Sequence, residues 1–356
     1  MAEQYAGQQR VGFLMQADWA TPGTSASAFQ LLNYDKGVTI SDPDIQIDQQ
    51  NFINQRGIVN EYERIYVDDK SGLPSLNFSG VATRTTLAGH FVAALQAVTE
   101  AADTPYIKTI TSAFKSGVID WSADEGYLWT LADERYDESG ADDCDISILG
   151  NALLDNFQFT IEPNNRGIAR LAKISGTWRG NALTLIDGDG AANDLSGSVV
   201  AMSTTNFYND ATKFTLNLTN LATTLTDVCF KRFTLRIENN MTSDCRGTGG
   251  AANNYKVSPK YFVEIDLPYL ATTHDFSALF TEGGLVVFDL ETGTAGVTGH
   301  LKIDCDAAIV TQNPFGFDGE YMSRPLVLEL LSKVSDDQTP IEVTIDDDIE
   351  WSYPAP

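Results

Sequence analysis

The chain has 356 residues, 43% hydrophobic and 20% charged, enough to bury a large core and long enough to favour two domains over one. Its 49 acidic against 23 basic side chains give a net charge of −26, which repels a polyanion and disfavours tight nucleic-acid binding through counterion release. No stretch approaches the ~18 apolar residues of a membrane helix, and residues 1–25 lack a basic start followed by an apolar run, so a soluble protein made and kept in a cytoplasm is expected.

Residues 1–27 are expected to be an N-terminal arm too polar for the core. A first module then spans 28–200. Within it, the long insertion at 49–72 precedes a strand introduced by Pro74. Helical periodicity follows over residues 86–101, with Leu87, Phe91, Ala94, Leu95 and Val98 on one face. GYLWTL (126–131) is read as a strand, and the acidic segment 133–145 as a loop. Phe157, Phe159 and Ile161 alternate with polar residues in the first arm of a long hairpin closed by residues 171–176. Turn formers over 187–210 mark the boundary, and 201–356 form a second module with a C-terminal tail.

The second half repeats the alternation more regularly. Phe233, Leu235 and Ile237 share one face of a strand, as do Val263, Ile265 and Leu267 of the next. The glycine-rich Arg246–Asn254 between these strands lacks the Lys-Ser/Thr pair of a phosphate cradle and is read as a hairpin tip. A short helix capped by Thr273 follows, then GGLVVFDL (283–290) and a closing pair from 301–310 with 324–331. Leu301, Ile303 and Cys305 form one apolar stripe, and Ile341, Val343 and Ile345 another. In both halves a strand introduced by proline leads into a helix, which suggests an internal duplication. A single offset aligns Phe29, Leu31, Phe91 and Ala93 with Phe214, Leu216, Phe276 and Ala278.

No catalytic, metal or cofactor site is indicated by the sequence. His90, His274 and His300 are the only histidines, and His90 and His274 are read as cap or surface residues. Cys144, Cys229, Cys245 and Cys305 lack ligand spacing and are read as free thiols. Asp187, Asp189, Asn193 and Asp194 resemble a calcium loop but lack its glycine and closing glutamate, so a solvated turn is expected. Seven acids, Glu238, Glu264, Asp266, Asp304, Asp306, Glu342 and Asp346, fall on the polar faces of the expected strands. They are candidates for one acidic wall, against the plain alternative of solvated sheet faces.

Lys231–Asn240 is similar to the signature strand of the tail tube (major tail) proteins of long-tailed bacteriophages, in which Phe-x-Leu-x-Ile-x-Asn-Asn opens the C-terminal half. The later order of strand, short helix, strand and closing pair resembles that family too, as do residues 74–95 and 150–181; the 133–145 and 49–72 segments depart from it. The resemblance implies a mainly β chain of two tandem tube-type barrel or sandwich modules, each with a flanking short helix. It implies a non-enzymatic virion protein, assembled in the host cytoplasm, that stacks as rings into the tube through which DNA passes. A trimeric ring with pseudo-sixfold symmetry is favoured over a hexamer. Its implied partners are copies of itself, tail tip and head–tail connector proteins, a tape measure protein and, transiently, DNA, with no membrane and no cofactor. Phe52, Ile53, Ile58, Tyr62, Ile65, Tyr66, Trp351 and Tyr353 are candidate contacts between rings. The alternatives are another viral or surface β-sandwich, such as a capsid decoration or adhesin, or a carbohydrate-binding module using Trp121, Trp129, Trp178, Tyr127 and Tyr136 as stacking platforms.

Overall fold

The computed structural model describes residues 9–16, 22–24, 29–35, 37–41, 73–101, 105–112, 117–120, 127–136, 144–162, 171–180, 182–186, 197–198, 208, 214–220, 223–246, 252–268, 282–312, 316–318, 321–331 and 339–348. In chain order the first half contributes β1 (Gln9–Met15), β2 (Phe29–Leu31), β3 (Ile40–Ser41), β4 (Ser75–Val81), α1 (Leu87–Leu95), β5 (Gln96–Glu100), β6 (Tyr106–Ser112), β7 (Gly117–Asp120), β8 (Trp129–Tyr136), β9 (Cys144–Ile161), β10 (Lys173–Arg179), β11 (Ala182–Ile186) and β12 (Gly197–Ser198). The second half contributes β13 (Thr215–Asn220), β14 (Thr224–Leu225), β15 (Arg232–Glu238), β16 (Thr242–Arg246), β17 (Ala252–Val257), β18 (Lys260–Pro268), β19 (Leu285–Thr292), β20 (Leu301–Gln312), β21 (Gly316–Asp318), β22 (Tyr321–Leu330) and β23 (Glu342–Asp347). The protein is mainly β, as the alternation implied, and α1 is the one helix among the described residues.

Two long strands organise the sheet. Phe159 of β9 pairs with Ile174 of β10 and with Leu235 of β15, so these strands lie on opposite edges of β9. Farther back, Leu149 pairs with Leu131 of β8 and Leu183 of β11. Because residues 180–181 alone separate β10 from β11, those two share one edge, and β8 and β15 divide the other. β20 is shared similarly: β19 runs along one edge, while β23 and β22 divide the other. The resulting order is β3-β4-β10-β9-β15-β18-β22-β20, and the sheet does not close on itself. β1 and β2 continue from β8, β13 and β14 from β19, and β6 and β5 from β23. These pairings are antiparallel; β12 adds to β2 in parallel.

One spatial order occurs twice. β3-β4-β10-β9-β8-β1 in the first half matches β15-β18-β22-β20-β19-β13 in the second, with β11 and β23 in like places. The register shifts match as well. Opposite Trp129/Leu131 and Thr177/Trp178, β9 is irregular between Leu149 and Ala152 and between Leu154 and Asn156. Opposite Val286/Phe288 and Val327/Leu328, β20 is irregular between Cys305 and Ala308 and between Val310 and Gln312, all four residues displaced by one constant amount. Such bulges bend a strand and increase its twist, which lets one strand serve two layers.

The alternating stripes meet in one core that draws on both halves, including Trp178, Phe157 and Phe91 from the first and Phe233, Ile265 and Phe288 from the second. Burying a side chain of this size stabilises by about 1.5–3 kcal/mol relative to leaving it exposed. α1 is buried on every face, and its length is shorter than the periodicity implied. Gln96 ends it with a left-handed φ of 70°, and the β-branched Val98 and Thr99 continue as β5. His90 is therefore a core residue rather than a cap. Its Nδ1 lies 2.7 Å from the Thr86 carbonyl, its Nε2 2.8 Å from the Tyr34 hydroxyl, and Phe13, Phe78, Phe157 and Trp178 surround it.

Three further expectations are corrected. The proposed polar arm contains β1, whose Val11 and Phe13 enter the core. The segment read as an acidic loop begins as strand, since Asp133 and Glu134 are buried on β8 and pair with Arg135 and Arg10. Trp129, Trp178 and Tyr127 are buried too and cannot serve as glycan platforms. The helix expected after Thr273, the calcium-like turn, the 49–72 insertion, His274 and all eight ring-contact candidates lie outside the described residues. β16 and β17 form the expected hairpin, with β7 as a third strand. No helix among the described residues is long and apolar enough to cross a membrane.

Candidate functional site: a polar sheet face

The residues of β4, β10, β9, β15 and β18 that alternate with the core stripe form continuous cross-strand rows. One row runs Ser79, Ser175, Gln158, Arg236, Phe262, Glu329; its neighbour runs Val81, Lys173, Thr160, Thr234, Glu264, Val327. Between these rows lies a groove of about 570 Å³ whose walls include Asp35, Gln158, Lys173, Arg232, Arg236 and Glu264.

The face changes character along the sheet. Over β4, β10 and β9 it is made largely of hydroxyls and amides. Thr177 donates to Asn77 at 2.6 Å, Gln158 donates to Thr160 at 3.1 Å, and Ser79 donates to Asp35. Over β15 and β18 it is ionic: Arg232 contacts Glu264 at 2.8 Å and Asp266 at 3.0 Å, and Arg236 contacts Glu238 at 2.9 Å while lying over the Phe262 ring. The arginines are about half exposed, so each pair contributes ~0–1 kcal/mol to stability. Their effect is on the potential of the surface. Among the groove walls, Asp35, Glu162 and Glu264 face Lys173, Arg232 and Arg236, so positive and negative charges balance locally in a chain of net −26.

This arrangement differs from a single acidic wall. Glu264 and Asp266 on β18 share Arg232, while Glu238, at the other end of β15, contacts Arg236. Asp304 and Glu342 pair across β20 and β23, with Asp289 on the other side of Asp304, and none of them lines the groove. Lys302 contacts Asp304 at 2.7 Å, and that hydrogen bond raises the lysine pKa. Asp306 is exposed on β20 near its first bulge. Asp346 is buried, where its Oδ2 accepts from the Gly296 amide at 2.6 Å and lies 3.2 Å from His300 Nδ1, so it belongs to the interior instead of a solvated face. Arg232 and Arg236 are the residues that a count of acids overlooks. Arg232 meets Glu264 and Asp266 only through cross-strand register, whereas Arg236 contacts Glu238 two residues on along the same strand.

Among the described residues, no group of three or more His, Cys, Asp and Glu side chains is placed to hold a metal ion. Cys305 is a buried free thiol and Cys229 an exposed one. No family model matches the sequence, and a search of curated proteins finds no match.

Proposed function

We propose that the chain is a non-enzymatic structural subunit of two tandem β modules that self-associates edge to edge into rings, and that stacked rings form a phage-type tail tube. The observation that carries this reading is the pairing of β9 with β15 inside one chain. It joins the strand run β3-β4-β10-β9 head to tail to the corresponding run β15-β18-β22-β20. A junction that links two similar runs within a chain supplies a pattern for linking chains: the outer edge of β20 beyond β19 would receive β3 of the next copy. β3 is paired on one edge only among the described residues, and an open strand edge is a template for another strand. Head-to-tail contacts of this kind produce rings when the rotation closes. With two runs per chain, three chains give six quasi-equivalent runs, so a trimer with pseudo-sixfold symmetry is favoured.

The polar face supports the same reading. A wall of hydroxyls, amides and arginine-matched carboxylates offers a sliding polyanion little net attraction, so it adds little drag. The tandem duplication rests on strand order and bulge positions rather than on one sequence offset; in the pairing, Leu216 takes the place of Val11, not of Leu31. In this reading the chain acts in a virion tail, with tail tip, connector and tape measure proteins as its further partners.

Electron microscopy of the purified chain across a concentration series tests the proposal. Rings of three chains, alone or stacked into hollow filaments, are expected. Isolated compact particles at every concentration would refute it and favour a decoration or adhesin role.

A further inference from the structure

Two apolar stripes are each broken by an ionisable residue, and the breaks meet. On β6, Lys108 is buried on the same face as Ile110, and on β23, Asp347 is buried on the same face as Ile345. In the register Lys108 faces Ile345 and Tyr106 faces Asp347, so the lysine and the aspartate are diagonal neighbours on adjacent antiparallel strands. Lys108 Nζ lies 2.5 Å from Asp347 Oδ1 and 3.2 Å from Oε2 of Glu100, which sits directly across from Lys108 on β5. Side-chain exposures are 0% for Lys108, 1% for Asp347 and 13% for Glu100, and the Tyr106 ring lies 5.5 Å from the lysine nitrogen.

As a stabilising device alone this is a poor use of the site, because desolvating buried ions offsets much of their attraction. As a reactive site it is well formed. An amine touching one carboxyl oxygen has the carboxyl carbon within roughly 3.5 Å, the range of a near-attack contact, and held geometry replaces an entropic barrier. Proton transfer from the ammonium to the carboxylate yields the neutral amine and acid, the forms that react. Glu100 is placed to move the remaining protons.

We propose that Lys108 and Asp347 condense into an intramolecular amide cross-link, with Glu100 as the proton shuttle. The Lys108 ammonium first passes a proton to the Asp347 carboxylate. The neutral Nζ then adds to Cγ of Asp347, forming the C–N bond, as the Glu100 carboxylate takes a proton from the nitrogen. Protonated Glu100 returns that proton to the departing hydroxyl, the C–O bond breaks and water leaves. The balance is one ammonium plus one carboxylate giving one amide and one water; nothing is oxidised or reduced, and Glu100 ends as a carboxylate. The bond would join residues 239 apart, fastening the β5–β6 hairpin of the first half to the last strand of the second.

The test is the intact mass of the purified, folded full chain measured after denaturation, followed by peptide mapping. Loss of about 18 Da is expected, the mass of one water, together with a branched peptide joining the Lys108 and Asp347 segments and no tryptic cleavage after Lys108. Lys108→Arg, Asp347→Ala and Glu100→Gln should each keep the full mass. The wild-type chain requires no substitution to fold, so its mass alone decides: full mass in a folded preparation, or a water loss that maps elsewhere, overturns the cross-link. A Glu100→Gln chain linked as completely as wild type overturns the role given to Glu100.

Discussion

His90 makes the stability of this protein depend on pH in a defined window. Its ring is fully buried, and burial lowers its pKa from the ordinary 6.5 to about 4, against a smaller opposing effect of the Thr86 carbonyl. The hydrogen bonds explain why the neutral form is held. Nδ1–H donates to Thr86, so Nε2 is left to accept from the Tyr34 hydroxyl, which in turn accepts from the Trp178 indole N–H at 3.2 Å. Protonating Nε2 would leave the Tyr34 hydroxyl hydrogen without this acceptor. Between pH 6.5 and 4 the unfolded chain binds a proton at this position and the folded chain does not, so stability falls as pH falls. It is full above about 6.5, and the loss is complete below about 4. At 1.36 kcal/mol per pH unit the lowering amounts to about 3 kcal/mol. Urea unfolding at intervals from pH 7.5 to 4, on wild type and on His90→Gln, isolates this contribution because groups common to both proteins cancel in the difference. Wild type should lose about 3 kcal/mol more than the variant across the window. Parallel pH profiles would refute the reasoning.

A Cβ at Gly176 would run into the Asn156 carbonyl on the neighbouring strand, so Gly176→Ala should cost about 1–3 kcal/mol in urea unfolding, with β9 and β10 forced apart. Cys229 is exposed, whereas burial pushes the Cys305 thiol up to about 12; peptide mapping after alkylation of the native protein should find Cys229 labelled and Cys305 labelled only after unfolding. Asp155 and Glu264 both meet an arginine at 2.8 Å, but Asp155 is buried and also accepts from the Met241 amide at 2.6 Å. Asp155→Ala should therefore lower thermal stability by about 1–3 kcal/mol, whereas Glu264→Ala, with its half-exposed side chain, should change it by less than about 1 kcal/mol.

Strands with one wet face were legible in the sequence, because a two-residue period records which face is buried. Phe233, Leu235 and Ile237 of β15 are buried as their spacing implies. β1 escaped because Val11, Gly12 and Phe13 are buried in succession, which erases the alternation. β8 was cut short because Asp133 and Glu134 read as solvated charges, although Arg135 and Arg10 are positioned to satisfy them. The helix overran by a turn because Val98 extends its apolar face equally well as strand. At the candidate site the acids could be counted from the sequence, but neither the meeting of Arg232 with Glu264 and Asp266 nor that of Lys108 with Asp347 could be read there, since both depend on strand register.

The same register explains why β9 governs the architecture. An 18-residue strand is far longer than one layer needs, and a straight one would carry its neighbours beyond the core. The irregularities near Gly150 and Asp155 bend it, so that Leu149 and Ala152 face the same interior as Phe157 and Phe159 while their partners change from β8 to β15. β20 has matching irregularities but is shorter, 12 residues, and its described length ends soon after β19 does. What β15 does for β9 has no counterpart for β20 among the described residues of one chain. In the proposed ring, this edge is where a second copy would complete the sheet.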